Sequence, residues 1–455
     1  VQERNTVGGY RRILTESLIT AMLNARLFEI TQQEDPPFAA AGAGRGRFVR
    51  TSAFFQLGAL VSDGGVQRGM TAILTEAERV ARHGFLPSEM EREKTNLLRS
   101  LEQAFDEREN QASSRYAGEY VSHFLEGQPI PGIEYEYRMA EAILPGITIN
   151  DVNRIVGDWL SGGNRVVMVN SPEKAGLAVP TEAELSPIFQ DVLAAEVEPW
   201  EDTTPETPLM ERAPDPGSIT EESSIPELGI TEWLLSNGLR VVLKPTDFKE
   251  DEVLFQAFSP GGYSLSPVDE HLSAANADQV VALGGVGEFN RVQLQRKLAG
   301  RAVSVSPTIG QLSEGLSGRA SAQDLETLFQ MVHLYVTAPR KDETAFAAMR
   351  SQMKALLENR SNSPRAAFQD TIQVTLTQGH PRARPLTAEA FDQIDLDRAF
   401  AFYQDRFADA SDFTFVFVGA FRPADIRPLV ETYLGSLPNL DRDESWRDLD
   451  IDPPG

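Results

Sequence analysis

The chain contains no cysteine, which excludes disulfides, thiolate metal sites and cysteine nucleophiles and is compatible with an oxidising compartment. Histidine is scarce: the five are His83, His123, His271, His333 and His380. No two of them stand four residues apart, so no helical His pair can grip zinc in the H-E-x-x-H or H-x-x-E-H manner. Long apolar runs are missing as well. The longest, such as Phe413 to Ala420, have strand length, far short of the ~18 residues a membrane helix needs. Positive charge is also in deficit, with 42 basic against 67 acidic residues and a net charge of −25. Nucleic acid and anionic membrane surfaces call for basic patches, so neither is an expected partner. Basic peptides would suit the acidity, but a solvated acidic surface that keeps the chain soluble is the simpler explanation. The polar start, Val1-Gln-Glu-Arg-Asn5, lacks the apolar region of a signal peptide.

Against those absences stands an ordinary globular composition, 41% hydrophobic and 24% charged over 455 residues. One hydrophobic core stops growing at ~250–300 residues, so at least two domains are expected. A compositional break supplies the division. From 171 to 230 the sequence is rich in Pro, Glu, Asp, Thr and Ser, as in Pro199-Trp-Glu-Asp-Thr-Thr-Pro205 and Pro214-Asp-Pro-Gly217, and reads as an extended acidic linker. Residues 1–170 and 231–440 flank it. Both blocks end with a helix pattern running into an apolar strand, Arg165–Asn170 in one and Phe413–Ala420 in the other, a loose internal repeat in architecture.

Within the first block, Ile13, Leu14, Leu18, Ile19, Met22, Leu23 and Leu27 form a helical stripe over Tyr10–Glu29. Phe48–Val61 alternates as a strand, and Ser88-Glu-Met-Glu91 has capping-box spacing at the head of a long helix to about Leu125. The second block opens with a hairpin turned by Asn237-Gly238 between apolar runs. Ser321-Ala-Gln-Asp324 then caps a helix through Leu334, another covers Glu343–Leu357, and a third covers Leu396–Phe407. Mixed helices and alternating strands predict an α+β class, with two similar domains each built as a mainly antiparallel sheet covered by helices. The chain opens on a helix with no strand for it to cover and closes in an acidic 441–455 stretch, so it reads as an internal piece of a longer polypeptide.

The residues alone offer little chemistry. His333 lies in an apolar helix and reads as a core residue. Gly284-Gly-Val-Gly287 lacks the Gly-Lys-Ser/Thr ending of a phosphate loop and reads as a turn. No Gly-x-Ser-x-Gly elbow occurs, and Glu221-Glu222 falls in the acidic linker.

A family resemblance is carried by ordered short stretches. In the second block these are Leu235-Ser-Asn-Gly-Leu-Arg-Val-Val242, then Gly379-His-Pro-Arg-Ala-Arg-Pro-Leu386, Phe402-Tyr403, Phe415-Val-Phe-Val-Gly419 and Tyr433-Leu-Gly-Ser-Leu-Pro438. In the first block they are Leu23-Asn-Ala-Arg-Leu27 and Asp35-Pro-Pro-Phe38. In order and spacing they resemble the repeats of the insulinase/pitrilysin (inverzincin) zinc metallopeptidases. The resemblance implies that 1–170 is most of a second, N-terminally truncated repeat, 231–440 a third repeat, and 441–455 the start of a further linker. Working members carry H-x-x-E-H on a helix shortly after the first hairpin. Here that motif falls on Asn276-Ala-Asp-Gln-Val280, so Asn276 and Val280 stand at the His positions and Gln279 at the Glu position. The third ligand, a later Glu, falls near Leu356-Leu357, with Glu358 adjacent. An amide cannot take the proton of a zinc-bound water, and an isopropyl group cannot ligate zinc. No catalytic or metal residue is therefore expected in this chain, and zinc is expected in an upstream domain.

The resemblance further implies that this stretch encloses and positions peptide for a zinc metalloendopeptidase, partnered by the other repeats of the same polypeptide. The alternative is a zinc-free structural or peptide-binding subunit of the same family. The sequence leaves location open, with a periplasmic or secreted full-length protein as the expectation.

Overall fold

The computed structural model describes residues 5–49, 52–160, 164–174, 176–360 and 363–455. The chain divides into two compact units, Val1–Thr203 and Thr204–Gly455.

The first unit runs α1 (Val7–Thr31), β1 (Ala40–Val49), β2 (Ser52–Leu60), α2 (Val66–His83), α3 (Pro87–Asp106), α4 (Ser113–Glu126), α5 (Ile133–Ile143), α6 (Ile149–Leu160) and α7 (Glu182–Ala194). The apolar stripe of α1 is buried as its period requires, with Leu18, Ile19, Met22, Leu23 and Leu27 at the centre of the core. The expected single strand over Phe48–Val61 is instead the end of β1 followed by β2, an antiparallel hairpin. The long helix expected from Ser88 starts at Pro87 and is broken after Asp106, with α4 beginning at Ser113. Its cap is displaced too: Glu89 accepts from the Leu86 amide at 2.7 Å, which leaves Ser88 inside the first turn.

The second unit adds β3 (Ile219–Ile225), β4 (Ile230–Leu235), β5 (Arg240–Pro245), β6 (Val253–Pro260), α8 (His271–Ala274), α9 (Ala277–Gly284), α10 (Arg291–Lys297), β7 (Val303–Ile309), β8 (Ser313–Ala320), α11 (Leu325–Thr337), α12 (Glu343–Arg360), α13 (Pro364–Leu376), α14 (Ala388–Phe391), α15 (Leu396–Arg406), β9 (Thr414–Gly419) and α16 (Pro423–Leu429). Its sheet has the order β3-β4-β5-β9-β6-β8-β7, antiparallel except between β5 and β9. The fold class is therefore α+β with a mainly antiparallel sheet. Asn237-Gly238 turns the β4–β5 hairpin, with Gly238 at φ +85°, a conformation glycine adopts without steric cost. One face of the sheet buries Trp233, Val241, Leu243, Phe255, Phe415 and Phe417 against α9 and α11. Phe417 stacks on Phe329 of α11 at 5.3 Å and on Phe255 at 5.7 Å.

The two units share an element order. From α1 onward, the first unit repeats the sequence α9, β7, β8, α11, α12, α13, α14, α15, β9, α16 of the second. Packing follows the same correspondence: α1 lies against β1, α3 and α6, as α9 lies against β7, α12 and α15. The match fails at two places. Helix α10, between α9 and β7, has no counterpart between α1 and β1, and the final strand is missing among the described residues of the first unit. Arg165–Asn170 follows α6 as β9 follows α15, yet it forms no ladder, contrary to expectation. A strand needs neighbours to satisfy its amides, and among the described residues of the first unit nothing stands where β5 and β6 flank β9. The stretch 171–230 carries α7 and β3 rather than only extended chain. Leu185, Ile188 and Val192 of α7 form a small core with Val66, Met70, Leu74 and Val169, and β3 pairs with β4. Among the described residues no helix is long and apolar enough to cross a membrane.

Candidate metal-motif helix

Helix α9 begins one residue after Asn276, which stands at its N-cap with φ −117° and ψ 8°. The Asn276 side chain is nearly buried and donates from Nδ2 to the Leu272 carbonyl at 2.8 Å, closing the turn between α8 and α9. Val280 is 4% exposed and Val281 fully buried, both in the second unit's core, with Leu283 packed against it. Gln279 faces solvent. Asp278 is the polar residue that fixes the helix. Its Oδ1 accepts from the Gln279 amide at 2.8 Å and its Oδ2 from the Ile309 amide of β7 at 3.1 Å. Burial raises the Asp278 carboxyl above its ordinary range despite these bonds.

The position of the expected third ligand lies on α12, which packs on α9. Leu356 there is 49% exposed and Leu357 packs against the core, while the side chain of Glu358 lies outside the described residues. The structure thus packs together the two helices that carry the expected ligand positions, which hold an amide, a valine and leucines. Such groups can close a core; they cannot hold a divalent cation. No group of three or more His, Asp or Glu side chains suited to a metal occurs among the described residues.

The histidines are engaged elsewhere. His333 is buried in α11 with Nδ1 at 3.0 Å from the Tyr433 carbonyl, and burial pushes its pKa down. His83 and His123 face the carbonyls of Val197 and Gln128, His271 that of Val268, and His380 Nδ1 accepts from the Arg382 amide. Gly284 ends α9 and the chain turns after it, with Gly285 and Gly287 at positive φ and Val286 bridging to Phe289 and Pro339.

Sequence reading missed a buried polar end to the second unit's core. Ser259 of β6 and Glu314 of β8 face each other across the sheet. Arg406 at the end of α15 lies 3.6 Å from Glu314 and 2.6 Å from Glu444. Glu314 also accepts from the Gly262 amide. Burial outweighs Arg406 and the amide, and with Asp412 and Glu444 nearby it pushes the Glu314 carboxyl up to about 7. The signal available in the sequence was the break in apolar alternation at Ser259 and Glu314.

No protein-family model matches the sequence. Curated relatives do. The chain is 27% identical over 452 residues to a PQQL-like zinc protease of Arabidopsis thaliana, covering 98% of this chain and 42% of that protein. Among solved structures, the ferredoxin protease FusC, determined as a mutant in complex with Arabidopsis ferredoxin, superposes with a TM-score of 0.60 at 20% identity, over 96% of this chain and 49% of that one. The periplasmic protease PqqL from Escherichia coli gives 0.50 at 21% identity, over 99% and 50%. The chain thus spans about half the length of the proteins it matches.

Proposed function

We propose that this chain, similar to the PqqL-like zinc proteases, is the non-catalytic portion of an insulinase/pitrilysin-type metalloendopeptidase, enclosing and positioning peptide for a zinc site in an upstream domain. One observation carries the proposal: on α9, where the family resemblance sets the metal motif, Asn276 closes a turn, Gln279 is exposed and Val280 is buried in the core. On this reading helix α9 serves packing and carries no metal chemistry. In the working members a zinc-bound water attacks the peptide bond with a Glu as base; neither partner of that step has a counterpart here.

The remaining roles follow from this reading. Residues 1–170 are assigned to a second repeat, 231–440 to a third and 441–455 to the start of the next linker, and the partners are peptide substrates and the other repeats of the same polypeptide. An exported, periplasmic location is proposed by likeness to the Escherichia coli protein. The test compares this chain with the longer protein read from its coding sequence. The longer protein should carry H-x-x-E-H upstream with a later Glu and should cleave peptide, whereas the 455-residue chain should not. Cleavage by the short chain, or the absence of the upstream motif, would overturn the assignment.

A further inference from the structure

The motif Gly379-His-Pro-Arg-Ala-Arg384 has no part in the reading above. Arg382 reaches across to the short turn Gly262–Leu265 that leads from β6 toward α8 and α9. Its Nη1 donates to the Tyr263 carbonyl at 3.0 Å and to Ser266 Oγ at 3.1 Å, and its Nη2 donates to the Ser266 carbonyl. Arg447 arrives at the same turn from the C-terminal segment, where its amide donates to Ser264 Oγ at 2.9 Å. Both arginines thus meet one turn, and burial, with the Arg447 charge adding to it, lowers the Arg382 pKa. Neither arginine has a carboxylate partner among the described residues, nor has nearby Arg384, which donates from Nε to the Gly379 carbonyl. The Tyr263 phenol, close enough to feel the Arg382 charge, has no hydrogen-bond partner among them either.

This arrangement runs against the rest of the chain. With 67 acidic residues to 42 basic, most arginines have a carboxylate within reach, as Arg406, Arg422 and Arg442 do. A partly buried guanidinium near a second one repels it, and an anion placed between them removes that cost. Arg382 spends its bonds on backbone carbonyls and Ser266, so it is fixed. Of its five N–H donors, Nε remains unused among the described residues. Arg447 is exposed, and no ion pair holds its guanidinium among the described residues. A planar fork fixed on the turn, with a second, exposed arginine anchored to the same turn, suits a carboxylate.

We propose that Arg382, Arg447 and Tyr263 form a carboxylate-binding site on the second unit that takes the C-terminal carboxylate, or an acidic side chain, of bound polypeptide. The site deepens the peptide-positioning role and rests on it. Arg382 also pins the turn, so Arg447 is the residue to vary. Fluorescence anisotropy would follow three N-terminally labelled decapeptides of Ala, Ser and Leu binding to the 455-residue chain. One ends in a free carboxylate, one in an amide, and one in an amide with an internal Glu. Amidation should weaken binding about tenfold, in line with one charge-assisted hydrogen bond. Arg447→Gln should weaken the free acid equally, with no further loss when the two changes are combined. Arg319→Gln, an exposed control, should change nothing. Recovery of affinity by the internal Glu would keep the site and name the side chain as its source. If acid and amide bind alike and Arg447→Gln is silent, the carboxylate site is wrong while peptide positioning stands. If no decapeptide binds, both readings fall.

Discussion

Replacing Arg26 by methionine tests how the helix equivalent to α9 is held in the first unit. Arg26 is fully buried on α1, and its Nε and Nη2 each donate to Glu89 at 2.7 Å. Nη1 donates to Glu76 at 3.1 Å and Nη2 to the Gly84 carbonyl at 3.2 Å. The guanidinium lies 4.9 Å from the Phe85 ring centre and 5.0 Å from that of Trp200. Methionine fills much of the same space but strands two buried carboxylates, and breaking one side of a buried ion pair costs about 3–5 kcal/mol. Arg79 still pairs with Glu76, which places the expected loss at the lower end, about 3 kcal/mol at pH 8. The pH dependence follows from Glu76. Burial already raises its carboxyl, with Arg79 and Arg26 opposing, so removing Arg26 raises it further. A group whose folded pKa is raised contributes stability at low pH that is lost as pH rises through that value. The cost of Arg26→Met should therefore shrink toward pH 5, by about 1.4 kcal/mol for each further unit of pKa rise. Hydrogen exchange of the α1 amides, 7–31, at pH 5 and pH 8 measures opening of this unit without interference from the other. A loss below about 1 kcal/mol, or one independent of pH, would refute the reasoning.

The second unit supplies two more expectations. Val281→Ala should cost about 2–3 kcal/mol by exchange of the α9 amides, because two fully buried methyls leave a cavity; a loss under about 1 kcal/mol would mean the site collapses freely. Glu314→Gln should remove a pH dependence. The wild-type carboxyl sits at about 7 when folded and near the ordinary value when unfolded, so native stability falls as pH rises through that window. The variant should be the more stable above pH 7 and should lose the slope, as read by thermal unfolding at pH 5 and pH 8.

How far the residues alone led can be judged from individual elements. The stripe of α1, the Asn237-Gly238 hairpin and α12 and α15 were legible because local period and turn chemistry agree with the tertiary packing. The break at Asp106 was not, since helix-forming residues continue through it into the short tighter turn Arg108–Asn110 that separates α3 from α4. Arg165–Asn170 reads as a strand, but a strand is made by its neighbours, which a local pattern cannot report. Proline and acid content marked 171–230, yet α7 and β3 find partners at long range. The altered motif at Asn276, Gln279 and Val280 was legible only through resemblance. Burial adds to it: Val280, at an expected ligand position, is core, and Gln279, at the expected base position, is exposed. The Arg382–Arg447 pairing joins residues far apart in sequence and had no local signal.

Whether α9 is a packing helix or a dormant metal site is decided by the triple variant Asn276→His, Gln279→Glu, Val280→His. Thermal unfolding with and without zinc, beside a peptide-cleavage assay, is the measurement. The account predicts a lower Tm that zinc does not restore and no hydrolysis. The imidazole at position 280 would enter an apolar core, and Leu356 and Leu357 supply no third ligand. Zinc-dependent recovery of Tm together with cleavage would contradict it.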